Sequence, residues 1–554
     1  MEFTFYMDIL SSGLNSLRQC YRKFFPYNTD AAIELVDSLS CNSSCQTPIE
    51  LTNSFLYTRH FSTLSYAISS YYKPRDKTQE EAKDARSKIN KEIENTLCQH
   101  LSFDAHAETE CEYHLFAIDV TPYQRPYSPK LEDKGFVHVN ETISGKKPIA
   151  IGHHYSSVAY LTKEKHWAPP VSIKRVPSYE KESVFGVKQW ADIINDKNNE
   201  FQSKKAVGCF DAGYSNPRSI YSFVESMKDK DNTAIFISRL RANRVLMRPN
   251  KKTPTGKPGR AHWFDNDNPF KLKSEDTWGD CAKEEHTEWI TKKGKKNSVK
   301  IQVWSDIRMR SHNDCPISQV PLTVVRISVS NKDGKVIYKH PLWLVTVGEW
   351  PAHWSVTLFW TFYKSRFDIE HFFKFAKQRL LMTKFQTPDT INEENWMQFS
   401  MIAYHQLYHA RTLAKNIPKP WENKEKNVLT DNDCVNSAKE KVVLPPARVQ
   451  RDMPNLLKQL PKIKDDLKVR GIPEGRKEGD KVKVRPTFPV IKKSPAKPPK
   501  KAQVRIIFGF ETNGKSTKVA IKYDGVEKSD IEADVLNHIK QIETINPIAI
   551  PPPS

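Results

Sequence analysis

The chain has 554 residues, a formal net charge of +21 and a pI near 9.3. That length accommodates about two to four domains, and the basic excess suits a polyanionic partner, of which nucleic acid is the commonest. No apolar run reaches the ~18 residues of a membrane span, and the nine scattered cysteines, an odd number, argue against a complete disulfide framework.

The N-terminal MEFTFYMDILSSGL lacks the basic start and cleavage site of a signal peptide, so a cytoplasmic, reducing compartment is expected. Residues 1–105 read as helical: residues 55–72 mix aromatic and apolar side chains with Arg59 and His60, and residues 77–101 form a charged amphipathic run. Cys41 and Cys45 have no second ligand pair nearby, so no zinc site is expected there. From His114 the pattern changes. LFAIDVT (115–121) is a short apolar run with one acid inside it, as in a buried strand, and an ionised Asp119 there is costly unless paired or bound to metal. Residues 136–139 and 148–161 read as partner strands with a turn at Ser144-Gly145. A helix follows, with Val187, Trp190, Ala191 and Ile194 at i, i+3, i+4 and i+7.

In AVGCFDAGYSNPRSIYSFVESM, residues 206–210 form a strand with Asp211 at its C-terminal tip, and Gly213 permits a tight turn. Asn216 caps the next helix and Pro217 takes its first position. Strand ends that lead into helix N-termini are where open α/β sheets place ligands, which makes Asp211 a candidate ligand. A strand at 232–238 then runs into a segment with Arg239, Arg241, Arg244, Arg248, Lys251, Lys252, Lys257 and Arg260 among Pro and Gly. Such a segment cannot pack a core, whereas its cations can follow a phosphate chain. Residues 245–345 read as mostly β, with strands at 298–304, 322–329 and 336–338, a hairpin signal at Asp333-Gly334, and a strand at 342–347 that returns to the main sheet or extends this region.

In YKSRFDIEHFFKFAK (363–377), read at about 100° per residue, Tyr363, Arg366, Glu370 and Lys377 share one stripe about 60° wide. Phe362, Ile369, Phe372, Phe373, Ala376 and Leu380 form the neighbouring apolar face. A long helix at 396–415 shows Met397, Met401, Tyr404 and Tyr408 along one side. Residues 421–503 are polar, Lys-rich and Pro-rich, and read as a linker or basic arm before two short strands at 504–510 and 518–523.

The pattern Y-x2-R-x3-E-x6-K at Tyr363, Arg366, Glu370 and Lys377 resembles the Tyr-Arg-Glu-Lys signature of a branch of DDE transposases from bacterial insertion sequences. The resemblance spans about residues 115–380. It implies an α/β fold: an RNase H-like mixed sheet flanked by helices and interrupted by a β-rich insertion, with an N-terminal helical domain and a basic C-terminal region. The implied organisation is a DNA-end-recognition domain at 1–105, the catalytic core at 106–244 and 346–420, the insertion at 245–345, and a linker with a small C-terminal region at 421–554. It also implies two Mg2+ ions (Mn2+ able to substitute), with Asp119 as the bridging ligand and Asp211 and Glu370 each completing one ion's shell. Tyr363, Arg366 and Lys377 would grip phosphates of the transposon end, and the basic segment from Arg239, Arg241 and Arg244 onward would also contact DNA. Trp304 and Trp343 are candidates for the wedge that receives a flipped base. The implied activity is cut-and-paste transposition on double-stranded DNA, at terminal inverted repeats and target sites, by a homodimer associated with the bacterial nucleoid. A nuclease that cuts without joining and an inactive DNA-binding derivative are the alternatives.

Overall fold

The computed structural model describes residues 12–70, 79–102, 106–108, 111–139, 148–199, 201, 204–228, 234–250, 264–291, 294–311, 315–417, 443–460, 479, 484–491, 505–513 and 516–524. The chain divides into two compact units, Met1–Ile491 and Lys492–Ser554. In the second unit the described residues form one antiparallel hairpin, Arg505–Asn513 with Ser516–Asp524.

The first unit is built on an eleven-stranded mixed sheet. Its strands are β1 (His106–Glu108), β2 (Cys111–Gln124), β3 (Gly135–His138), β4 (Ile149–Tyr160), β5 (Pro170–Val176), β6 (Lys205–Phe210), β7 (Ile235–Leu240), β10 (Lys283–Ile290), β11 (Lys296–Ile307), β12 (Leu322–Asn331) and β13 (Leu342–Val347); β8 (Val245–Pro249) and β9 (Phe264–Lys271) form a separate ribbon. The main path runs β10-β11-β12-β13-β7-β6-β2-β4-β3, with β1 beside β2 and β5 beside β4. Only β2–β6 and β6–β7 among these pairs are parallel.

The centre of the sheet is covered on both faces, which is why β2 reads as a nearly continuous apolar run rather than an alternating one. On one side lie α6 (Glu182–Ile194) and α7 (Pro217–Met227), and Trp190 of α6 meets the rings of Phe116 and Phe210. On the other side Tyr113 meets Phe362 of α8 (Leu358–Ser365) edge to face. Asp119 is an even number of residues beyond Tyr113, so the two-residue strand period turns it to the α8 face. Helix α9 (Asp368–Arg379) follows, and Ile369, Phe372, Phe373, Ala376 and Leu380 are buried as the apolar stripe requires.

Helix α10 (Thr390–Ala410) is buried along most of its length, because helices from both ends of the chain enclose it. The N-terminal helices are α1 (Gly13–Gln19), α2 (Tyr21–Phe24), α3 (Thr29–Ser40), α4 (Phe61–Ser70) and α5 (Gln79–Ser102). Gln406 of α10 accepts from Tyr21 and Arg18 and donates to Asp37 and Ser40, and Phe25 stacks on Phe399 at 5.4 Å. The N-terminal helices are thus part of the same core as the large sheet, and the boundary expected at residue 105 divides no free-standing module among the described residues.

The expected linker at 421–503 also needs correction. Within it, α11 (Pro446–Gln459) buries Val449, Met453 and Leu456, and Lys415 donates its amide to Asp452 at 2.6 Å. Residues 484–491 return to the sheet, where Ile491 bridges Gly135 and donates to Lys134. Much of the remaining basic arm, together with the turn at Ser144-Gly145 and Lys251, Lys252, Lys257 and Arg260, lies outside the described residues. The β-rich region is continuous with the core sheet, since β13 pairs β12 on one edge and β7 on the other. The Asp333-Gly334 turn forms, with Gly334 at φ 77°, but a single bridge between Ser330 and Val336 follows it instead of a strand at 336–338. Among the described residues no helix is long and apolar enough to cross a membrane.

Candidate metal and nucleic-acid site

Parallel register positions the first two acids. The β2–β6 ladder ends at the pair Ile118–Phe210, so Asp119 and Asp211 are the next residues on neighbouring strands that point the same way. Adjacent strands lie about 4.8 Å apart, and two carboxylates at that position repel unless a cation joins them. Burial, with the Asp211 charge adding to it, pushes the Asp119 carboxyl up to about 6, against the opposing pull of Arg366 and the Val120 amide. Asp211 is held by its own turn: the Gly213 amide donates to Oδ1 at 2.8 Å and Ser238 Oγ donates to its main-chain carbonyl at 2.6 Å. The helix after that turn starts as its sequence predicts, with the Asn216 side chain accepting from the Ser219 amide and Pro217 in the first turn.

The third acid arrives from the helical stripe, with one difference from the continuous helix expected. The helix tightens at Arg366-Phe367, where Phe367, Ile369 and Glu370 donate to carbonyls three residues back, splitting it into α8 and α9. Across this junction Arg366 lies between two of the acids. Its Nη1 is 3.7 Å from Asp119 Oδ2, and its Nη2 donates to Glu370 Oε1 at 3.0 Å. The guanidinium therefore occupies ground between carboxylates where a cation is favoured, while its Nε and Nη1 are buried without a hydrogen-bond acceptor. Glu370 is the most open of the group, with 44% of its side chain exposed.

The other signature residues surround this centre. Tyr363 lies under the Arg366 guanidinium, 5.6 Å from ring centroid to Cζ, and burial pushes its phenol up to about 12 against the pull of Arg366 and Arg239. Burial lowers the Lys377 ammonium pKa, while the Asp119 charge opposes that shift. Arg239 at the end of β7 and Arg241 just beyond it are exposed, and Arg244 is partly exposed. Arg248 has a structural place: its guanidinium donates to the carbonyls of Thr277 and Trp278 and lies over the Phe270 ring.

Trp304 and Trp343 do not suit the wedge role for which they were candidates. Both are buried, packed against each other, Phe270 and Trp278, and Trp304 donates its indole N–H to the Gly279 carbonyl at 3.3 Å. A ring that receives a base must leave its packing at low cost, and these are core side chains. Among the described residues of this region Trp289 on β10 is part exposed: it packs edge to face on Trp360, carries the Lys364 ammonium 4.5 Å above its ring, and stacks at 6.4 Å on the exposed Tyr338.

Sequence reasoning also missed Tyr214. Burial pushes its phenol far up, with the charges of Asp119, Asp211 and Glu182 adding to the effect. Its hydroxyl and Ser156 Oγ crowd Gly186, where a Cβ would lie 2.8 Å and 3.1 Å from them. Only glycine admits that approach. The Tyr of a Gly-Tyr-Ser turn directly after a candidate ligand was the available signal.

All three candidate ligands offer hard carboxylate oxygens, the donor set suited to Mg2+. They are not mutually close enough to surround a single ion: among the described residues the one trio with donor atoms all within 4.8 Å of one another is His166, Asp368 and His371. A two-ion arrangement does not require such a trio, because only the central carboxylate must reach both ions. Neither a protein-family model nor a curated protein matches this chain.

Proposed function

We propose that the chain is a DDE-type DNA transposase that cuts and joins phosphodiester bonds with Asp119, Asp211 and Glu370 as the metal-binding acids. The observation behind this reading is that Asp119 and Asp211 sit level on adjacent parallel strands, Asp119 inside β2 and Asp211 just past the end of β6, while Arg366 spans from Asp119 to Glu370. A two-ion hydrolase needs one carboxylate shared between its ions and further acids that complete each ion's shell.

Asp119, between the other two acids, is the shared ligand in this proposal, with Asp211 and Glu370 each serving one Mg2+. When bound, the ions supply a more acidic water and charge relief at the leaving oxygen. Arg366 offsets the acids' charge in the free protein and turns to a backbone phosphate when DNA arrives. Tyr363 beneath it limits where the guanidinium can go. Lys377 and the exposed Arg239 and Arg241 extend the cationic surface along the nucleic acid, with Arg244 beside them. The likeness of residues 363–377 to the transposase signature adds strand transfer by a freed 3′-OH, terminal inverted repeats as the bound DNA, and a homodimer that joins two ends.

The test is Glu370→Gln on a duplex carrying the element's terminal repeat in Mg2+. Strand cleavage should be abolished while end binding is retained; continued cutting by this variant refutes the assignment. Supplying pre-cleaved 3′-OH ends with target DNA then separates a transposase, which joins them, from a nuclease, which does not.

A further inference from the structure

Beside the acids lies a second cluster of different chemistry. The turn between β4 and β5 presents His166, and the first turn of α9 presents Asp368 and His371 three residues apart on one helical face. One donor atom from each of the three lies within 4.8 Å of the other two. The imidazole rings meet edge to face at 5.3 Å, and the His166 amide donates to the Asp368 carboxylate.

The turn that holds His166 is anchored. Trp167 is fully buried against Tyr404 and Tyr408 and donates its indole N–H to the Leu444 carbonyl at 2.9 Å. On the other flank Thr162 Oγ1 donates to the Glu164 carbonyl at 3.1 Å, and Glu164 pairs with Arg411. His166 itself has φ 75°, a left-handed backbone that is unfavourable for a residue with a β-carbon. A strained histidine on a fixed turn, aimed at a histidine and an aspartate on a helix, is a preformed ligand set.

We propose that His166, Asp368 and His371 bind one Zn2+-class divalent ion, separate from the Mg2+ acids and independent of the reading of those acids as a transposase centre. Two imidazoles and one carboxylate favour Zn2+, Co2+ or Ni2+ over Mg2+, which prefers oxygen ligands alone. Ligands about 2.1 Å from a tetrahedral ion lie about 3.4 Å apart, so side-chain rotation of about an ångström closes the site. All three side chains are part exposed, which leaves a position for water or a fourth ligand. The ion would tie the β4–β5 turn to the helix at the residues on either side of Glu370, and so hold the start of α9 in place.

Co2+ titration of the metal-free full-length protein, followed by visible absorption, tests this. One equivalent should give the intense d–d bands of a low-symmetry N/O site, and Zn2+ should displace it and raise Tm. His371→Ala should weaken binding beyond the roughly tenfold to hundredfold that loss of an outer-shell partner costs. His166→Gly should do the same while accepting the left-handed backbone, which guards against a misfolded variant. Asp119→Asn should leave the Co2+ spectrum unchanged. The proposal is overturned if the wild-type protein retains no Co2+, or if both histidine variants bind it as the wild type does. It is equally overturned if the bands require Asp119 or are those of thiolate ligation.

Discussion

Two acid clusters, both close to arginine, differ in how far their polar atoms are satisfied. Glu393 near the start of α10 is fully buried, paired with Arg125, and bonded to His153 Nδ1 at 2.6 Å and Tyr155 Oη at 2.8 Å. Arg125 also donates to the Thr387 carbonyl, and His153 Nε2 contacts the Glu132 carbonyl at 2.8 Å. In the open cluster, Asp119 of β2 shares one part-exposed guanidinium with Glu370 and faces the charge of Asp211. Both clusters place carboxylates beside arginine. The first spends its partners on fastening α10 to β2 and β4, and the second leaves valences open towards solvent, where a ligand can take them.

Four measurements test that contrast. Glu393→Ala should cost about 3–5 kcal/mol in denaturant unfolding, because Arg125 is left as an unpaired buried charge. A loss below about 1 kcal/mol would mean the clamp does not hold the helix. Next comes a titration of the same buried region. His405 on α10 is buried beside His409 and His100, and burial lowers its pKa to about 4, partly offset by its contact with the Pro170 carbonyl. The folded state therefore resists the proton that an unfolded histidine accepts near pH 6.5. Its contribution is complete above that pH and is lost as pH falls towards 4, with a slope of up to about 1.4 kcal/mol per unit. Unfolding free energies across that window should show the slope, and His405→Gln should reduce it to the part contributed by His409, whose pKa burial also lowers.

The open cluster should respond in the opposite sense. Asp119→Asn removes a repelled charge, so in the absence of divalent ions it should raise stability by about 1 kcal/mol, and excess Mg2+ should narrow the gain. A loss of stability would make Asp119 a structural residue like Glu393. The smallest effect concerns Arg366→Ala, which should lower the salt slope of DNA binding by about one. An unchanged slope would remove Arg366 from the phosphate contacts.

Several elements were readable because their causes are local. The capped helix after Asp211 starts where Asn216 and Pro217 direct it, and the apolar face of 362–380 is buried as its periodicity requires. Strand β5 was missed because its segment opens with Pro170 and includes Lys174 and Arg175, and pairing with β4 makes it a strand. Helix α11 lies in a stretch dominated by Pro and Lys, and its helical signal is confined to the spacing of Val449, Met453 and Leu456.

The amino-acid order alone determined the identity and spacing of the candidate acids, the residues flanking them and the period of each strand and helix, since those depend on neighbours a few positions away. The tertiary structure decided which of the charged residues remain open to a ligand. It brought Asp119 level with Asp211 through strand register, enclosed Glu393 and Trp343, joined the β-rich region to the core through β13, and set His166 against α9. These are contacts between residues tens to hundreds of positions apart, and burial and charge pairing exist only once such distant segments have packed.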